Sequence, residues 1–244
     1  MNARIKAFTF HLVISAVIAL TVIAVVFYLW YPAPLHTAVG VTQIFLILLS
    51  VDVVIGPLLT LLVYKVGKKT LTMDLTVIAV LQISALAYGL FTVAEGRPAW
   101  LVFAVDRFDL VRVLDIDERK LNQADLDYQQ PSIFGPQWVA AINPTDLDER
   151  NDILMESVLA GVDIAQRPNL YAPLNSQKAE IQKRLLGLDA LSAFNATESI
   201  STVLAKHPQA DSWLPLRANN QDMVVLMQRD TAEVVAIVDL RPWD

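Results

Sequence analysis

Residues 7–31 read AFTFHLVISAVIALTVIAVVFYLWY, without a single Asp, Glu, Lys or Arg. At about 1.5 Å of rise per residue, a helix of this length exceeds the roughly 30 Å hydrocarbon thickness of a bilayer. The run is much longer than the roughly 7–15 residue core of a secretory signal, and no convincing small-x-small cleavage site follows it. It is therefore read as a retained signal-anchor helix. Phe27, Tyr28, Trp30 and Tyr31 form an aromatic belt at its far end, and Pro32 and Pro34 stop the helix.

Two more apolar runs follow. Residues 37–64 are interrupted by Asp52, Gly56 and Pro57 and end at Lys65, Lys68 and Lys69. Residues 75–94 contain one polar interruption, Gln82. The expected membrane region is thus residues 1–94, with spans at about 7–31, 37–64 and 75–94. Arg4 and Lys6 precede the first span, the loop at about 32–36 has no Lys or Arg, and the 65–74 loop (KVGKKTLTMD) has three lysines. The positive-inside rule then places the amino terminus and the lysine loop in the cytoplasm. The third span exits, and residues 95–244 form a periplasmic domain in a bacterial inner-membrane protein.

The composition agrees with this division. Of 244 residues, 55% are hydrophobic and 18% charged, with a mean hydropathy of +0.45. Residues 1–94 carry five basic and two acidic groups, and residues 95–244 carry 14 basic and 23 acidic ones. A second part with net charge −9 is a poor partner for nucleic acid, whose phosphates need a basic footprint. The absence of cysteine excludes disulfides and thiolate metal sites, so the exported part depends on its own core.

An acid inside a span costs about 2.5–3.5 kcal/mol on insertion scales and so faces other helices or water, or is protonated. Asp52, Gly56 and Pro57 fall close together on one helix and make a polar notch, since Pro57 frees a carbonyl and Gly56 allows close approach. Three readings are open. The ordinary one is an internal bond to Gln82 or Ser84, the functional one is a docking notch for another protein's transmembrane helix, and the third is an ion or proton pathway.

The exported part reads as α+β with a small antiparallel sheet. Residues 99–105 and 110–114 are β-rich, with Asp106 and Asp109 between them, and 115–137 look like loop or extended chain. Asn143-Pro144 signals a helix start, Leu147, Leu154 and Val158 repeat at helical spacing, and Gly161 closes the helix. Residues 167–175 form a loop, and 176–187 and 189–206 are helical in pattern. Met223–Gln228 and Glu233–Leu240 flank the four-residue connection Arg229-Asp230-Thr231-Ala232 as a hairpin.

Patterns of chemistry are sparse. His11, His36 and His207 do not make a metal site, and there is no Gly-x-Ser-x-Gly. Asp115-Ile116-Asp117-Glu118 resembles the start of a calcium loop, but the turn glycine is replaced by Lys120. No catalytic, cofactor or metal site is expected, and a binder is favoured over an enzyme.

At the junction an ordered set of residues becomes specific: Asp52-x-x-x-Gly56-Pro57-Leu58-Leu59-Thr60, Lys68-x-x-Leu71-x-x-Asp74-Leu75, Gln82, Tyr88-Gly89, and Arg97-Pro98-x-x-Leu101-Val102-Phe103-x-x-Asp106-Arg107-Phe108. This set resembles the type IV pilin accessory proteins of the TfpX/TfpZ kind. The resemblance implies a non-catalytic inner-membrane factor that acts on its cognate major pilin, helps pilus assembly and needs no cofactor. Its partners would be the major pilin and the lipid bilayer, with the pilus assembly platform a further candidate. Asp52, Gly56, Pro57 and Gln82 would then hold the pilin helix. Arg97, Asp106 and Arg107 would form a collar outside the third span, against an ordinary reading of interface snorkelling and a turn salt bridge. The competing class is an envelope sensor that binds a ligand and signals through a partner, opposed by cytoplasmic segments of about six and about ten residues. A membrane-bound hydrolase is third.

Overall fold

The computed structural model describes residues 2–243. Among these described residues, three helices are long and apolar enough to cross a membrane. Helix α1 (Ala3–Ala24) continues through a wider π-helical turn, Val25–Trp30. The second apolar run divides. Leu35–Val39 forms a short helix, α2, and Gly40 breaks it at φ 79°. The long helix α3 is Val41–Val63, with Pro57 inside it. Helix α4 spans Leu71–Glu95. The expected start at residue 37 is thus replaced by 41, because Gly40 adopts the left-handed conformation that other residues avoid.

A domain of helices and one sheet follows. The strands are β1 (Pro98–Ala104), β2 (Arg107–Arg112), β3 (Gln137–Ala141), β4 (Tyr171–Pro173), β5 (Leu186–Gly187), β6 (Ser212–Arg217), β7 (Met223–Met227) and β8 (Val234–Val238). They form an eight-stranded sheet in the order β4-β3-β1-β2-β6-β7-β8, with β5 on β6. The β7–β8 hairpin forms as read from the sequence, and the two β-rich runs near residue 100 pair as an antiparallel hairpin in which β2 starts at Arg107 rather than 110. The sheet is larger than hairpins alone suggest and contains two parallel pairs, β1 with β3 and β2 with β6. Parallel neighbours need long crossovers, which local turn signals do not disclose.

Helix α5 is Leu147–Ala160 and ends at Gly161, as expected. Its start differs. Asp146, not Asn143, is the N-cap, accepting from the Glu149 amide at 2.9 Å. Both residues are good caps, and the choice rests on which one the chain brings into line. The pattern at 176–187 shortens to α6 (Lys178–Arg184) plus β5. The pattern at 189–206 splits into a 3-10 segment, Leu188–Ala193, and helix α7 (Thr197–Leu204).

Both faces of the sheet are covered. Leu101, Phe103, Phe108, Leu214 and Val225 pack with Ile181 and Leu185, and with Leu35 and Ala38 of α2. Trp100, Val102 and Val139 pack on the other face with Ile153, Ile164 and Tyr171. The segment between the first two membrane helices is therefore part of the second domain's core. The Asn220 and Gln221 amides donate to the Ala38 carbonyl at 2.9 and 3.1 Å, and Asn220 Nδ2 donates to the Thr37 carbonyl at 3.1 Å. Trp30 Nε1 donates to the Ile133 carbonyl at 3.1 Å. These bonds put the 31–40 loop and the sheet domain on one side of the membrane helices.

Candidate functional site: a cleft between three membrane helices

Helices α1 and α4 each pack along α3 and scarcely touch one another. They meet near the sheet domain, where the Tyr31 hydroxyl donates to the Val93 carbonyl at 2.7 Å. Tyr31, Val26, Phe45 and Val93 pack as one buried cluster there. Further from the sheet domain α1 and α4 splay, leaving a cleft of about 200 Å³ floored by α3. Ser15 and Ile18 of α1, Asp52 and Val53 of α3, and Gln82 and Ile83 of α4 line it.

Each wall is fixed differently. His11 Nδ1 and Thr60 Oγ1 lie 2.7 Å apart and tie α1 to α3. The Arg4 guanidinium donates to the carbonyls of Leu61 and Leu62 at the end of α3, the second at 3.1 Å. On the other side Gln82 Nε2 donates to the backbone carbonyl of Asp52 at 2.8 Å. Gly56 is what brings α4 so close, since a Cβ there would lie 2.1 Å from Gln82 Oε1. Gly89 does the same higher up, where a Cβ would lie 2.0 Å from Leu48 Cδ1.

The structure thus brings Asp52, Gly56 and Gln82 together, while Pro57 is buried in α3 but is not among the residues that line the cleft. The internal bond to Gln82 exists, but it uses the Asp52 carbonyl rather than its carboxylate, and Ser84 has no part in it. Asp52 Oδ2 and Gln82 Oε1 are both buried without a hydrogen-bond partner. An orphaned buried acceptor costs about 1–3 kcal/mol in proteins, and lipid supplies no water to relieve it. Two such oxygens in one cleft require a donor, either a proton on the carboxylate or a group brought by an incoming molecule. His11, Thr60, Ser15 and Ile18 are parts of the site that sequence reasoning missed. A histidine and two hydroxyl residues in otherwise apolar helices were the available signal.

Arg97, Asp106 and Arg107 are not brought together. Arg97 is 9% exposed and folds back on the end of α4, donating from Nη1 to the Ala94 carbonyl at 2.7 Å. Its guanidinium carbon lies 6.0 Å from the Trp30 ring centroid, a cation–π distance. It caps a helix end rather than snorkelling to the interface. Asp106 and Arg107 sit in the hairpin turn at the other end of β1, roughly 20 Å away at about 3.3 Å per residue. The fully buried β1 strand separates the three residues, so they make no single collar. The expected turn pair forms at 3.5 Å, but Arg107 Nε lies nearer Asp109, at 3.2 Å. Asp109 is 4% exposed and also meets Arg217 at 2.6 Å. Burial pushes its carboxyl above the usual range, opposed by the two arginines. This cluster fastens β2 to β6.

Among the described residues no group of three or more His, Asp or Glu side chains is arranged to hold a metal ion.

Known proteins supply a second line of comparison. The family model described as "Fimbrial assembly protein FimB" matches residues 1–40. The serogroup E1 fimbrial assembly protein of Dichelobacter nodosus is 29% identical over 236 residues, covering 93% of this chain and 91% of the relative. The serogroup I protein of the same organism is 29% identical over 216 residues, covering 88% and 76%. The protein of serogroups C1 and C2 is 31% identical over 116 residues, covering 47% of this chain and 88% of the relative. No solved structure matches. With one fimbrial assembly protein 31% identical over 88% of its own length, and two more matched along most of this chain, the protein belongs to the fimbrial assembly protein family.

Proposed function

We propose that this protein is an inner-membrane accessory factor of the TfpX/TfpZ kind that holds its cognate type IV major pilin in the bilayer and promotes its assembly into pili. In this reading it performs no chemistry. The lysine-rich ends of the helices face the cytoplasm, and the sheet domain stands in the periplasm. The observation that carries the reading is the cleft between α1 and α4 with its two donorless oxygens, Asp52 Oδ2 and Gln82 Oε1. An apolar helix with one polar group fits such a seat. Helix pairing in lipid depends on close approach at small residues and on interhelical hydrogen bonds of about 0.6–2 kcal/mol. A pilin helix that enters beside Asp52 supplies a donor to an ionised carboxylate, or accepts from a protonated one. Membership of the fimbrial assembly family supports the pilus as the destination.

The test is Asp52→Leu and Asp52→Asn, scored by co-purification of pilin and by surface piliation at matched expression. Asp52→Leu is expected to lose both. Asp52→Asn, which keeps an acceptor and adds a donor, retains part of each. Wild-type behaviour of both variants removes the cleft from the mechanism.

A further inference from the structure

The helices set the level of the bilayer. About twenty residues at roughly 1.5 Å each cross its hydrocarbon. From Ala7, where the charge-free stretch of α1 begins, that length ends at Val26. From Leu75, just after Asp74 in the first turn of α4, it ends at Ala94. The two ends agree, because Val26 and Val93 pack in one buried cluster. Tyr28, Leu29 and Trp30 therefore stand at the headgroup level, on the side of the sheet domain.

One loop of the sheet domain comes down to that level. Residues 131–136 lead into β3, which runs parallel to β1 with Gln137 opposite Trp100, and β1 begins just after α4. The loop thus lies at the membrane end of the sheet. It also touches α1. The Ile133 carbonyl accepts from Trp30 Nε1 at 3.1 Å, and a Cβ on Gly135 would lie 3.0 Å from the Leu29 carbonyl oxygen. The Phe134 amide donates to Ser132 Oγ at 3.0 Å, closing a tight turn with two large apolar side chains on its outside. Ile133 is 60% and Phe134 75% exposed, and Tyr28, which lines the same groove as Phe134, is 81% exposed. The nearest charged residues along the chain are Asp127 and Asp146.

Exposed apolar side chains in a cluster mark a contact surface. Here height and composition select the occupant. At the headgroup level such side chains reach the acyl chains, and a turn without charges has no ion to desolvate on entry. We infer that Ile133 and Phe134 enter the leaflet on the sheet domain's side, at the boundary between headgroups and acyl chains. The loop gives the sheet domain a foothold in lipid of its own, beside the three helices. The inference rests on α1, α3 and α4 crossing a bilayer and is independent of the pilin reading.

The chain has no cysteine, so Phe134→Cys, Ile133→Cys and Val105→Cys each carry one environment-sensitive fluorophore, in the full-length protein in phosphatidylcholine vesicles. Val105 is 55% exposed in the turn at the far end of β1. A nitroxide near the headgroup end of an acyl chain quenches from the lipid, and iodide quenches from water. Labels at 133 and 134 are expected to lose most of their emission to the nitroxide and little to iodide, with the reverse at 105. Iodide quenching at both 133 and 134 overturns the inference. Protection of both from either quencher overturns it as well, since protein then covers the loop. Equal nitroxide quenching at 105 and 134 also contradicts it, because the loop is then not the part of the domain that enters the lipid.

Discussion

At the scale of single residues, Gly56 and Gln82 decide how closely α3 and α4 approach. Adding a methyl group at Gly56 puts it 2.1 Å from the Gln82 amide oxygen, so the amide must leave its bond to the Asp52 carbonyl. Gly56→Ala is therefore expected to destabilise the helix pair by about 1–3 kcal/mol. Gln82→Ala loses the same bond but opens the space that the methyl needs. The double variant should cost less than the sum of the two, measured by thermal unfolding in detergent micelles, and strict additivity would mean that the two side chains do not share the site. Asp52, Gly56, Pro57 and Gln82 were legible in the sequence because polar and helix-breaking residues are rare inside an apolar span. Arg97, Asp106 and Arg107 were legible as distinctive but not as dispersed. Ten residues of sequence look short, while an extended strand carries the chain from one end of the sheet to the other.

At the scale of elements, helical spacing in α5 was visible but its direction was not. Periodicity tells which residues share a face, and only the neighbours tell whether that face is inward. Here Arg119 and Arg167 capture Glu156 and turn the acidic side toward the domain. Hydrogen bonds from these arginines hold the Glu156 carboxyl down to about 2, from an ordinary 4.5. A carboxyl lowered in the folded state contributes stability above its unfolded pKa, and that contribution disappears as pH falls through the folded value. The difference in thermal stability between wild type and Glu156→Gln should thus be full at pH 6, shrink below about pH 4.5, and vanish near pH 2. A difference that does not change with pH would show that the network acts by packing rather than by charge. The separation of α2 from α3 was also hidden, since both are apolar and only the left-handed Gly40 divides them.

At the scale of the whole molecule, the second domain is not an appendage on a helical stem. Leu35 and Ala38 lie in its core, and Asn220 and Gln221 grip the segment that carries them. This joins two of the three membrane helices to the sheet through one loop, and α4 runs into β1 with only two residues between. The cleft and the sheet domain are therefore held in one frame. The three apolar runs and the charge asymmetry were sufficient for the coarse architecture. The loop's burial was not legible, because residues 31–40 pair with positions almost two hundred residues away.

Everything proposed for the cleft requires the sheet domain to stand on the exported side and the lysine loop on the other. The chain has no cysteine, so single introduced thiols report without background. Leu126 is 84% exposed in the sheet domain and Val66 is 73% exposed in the lysine loop. With the outer membrane permeabilised and the inner membrane intact, a membrane-impermeant maleimide should label Leu126→Cys and spare Val66→Cys until the inner membrane is broken. Labelling of Val66→Cys with protection of Leu126→Cys would contradict the account.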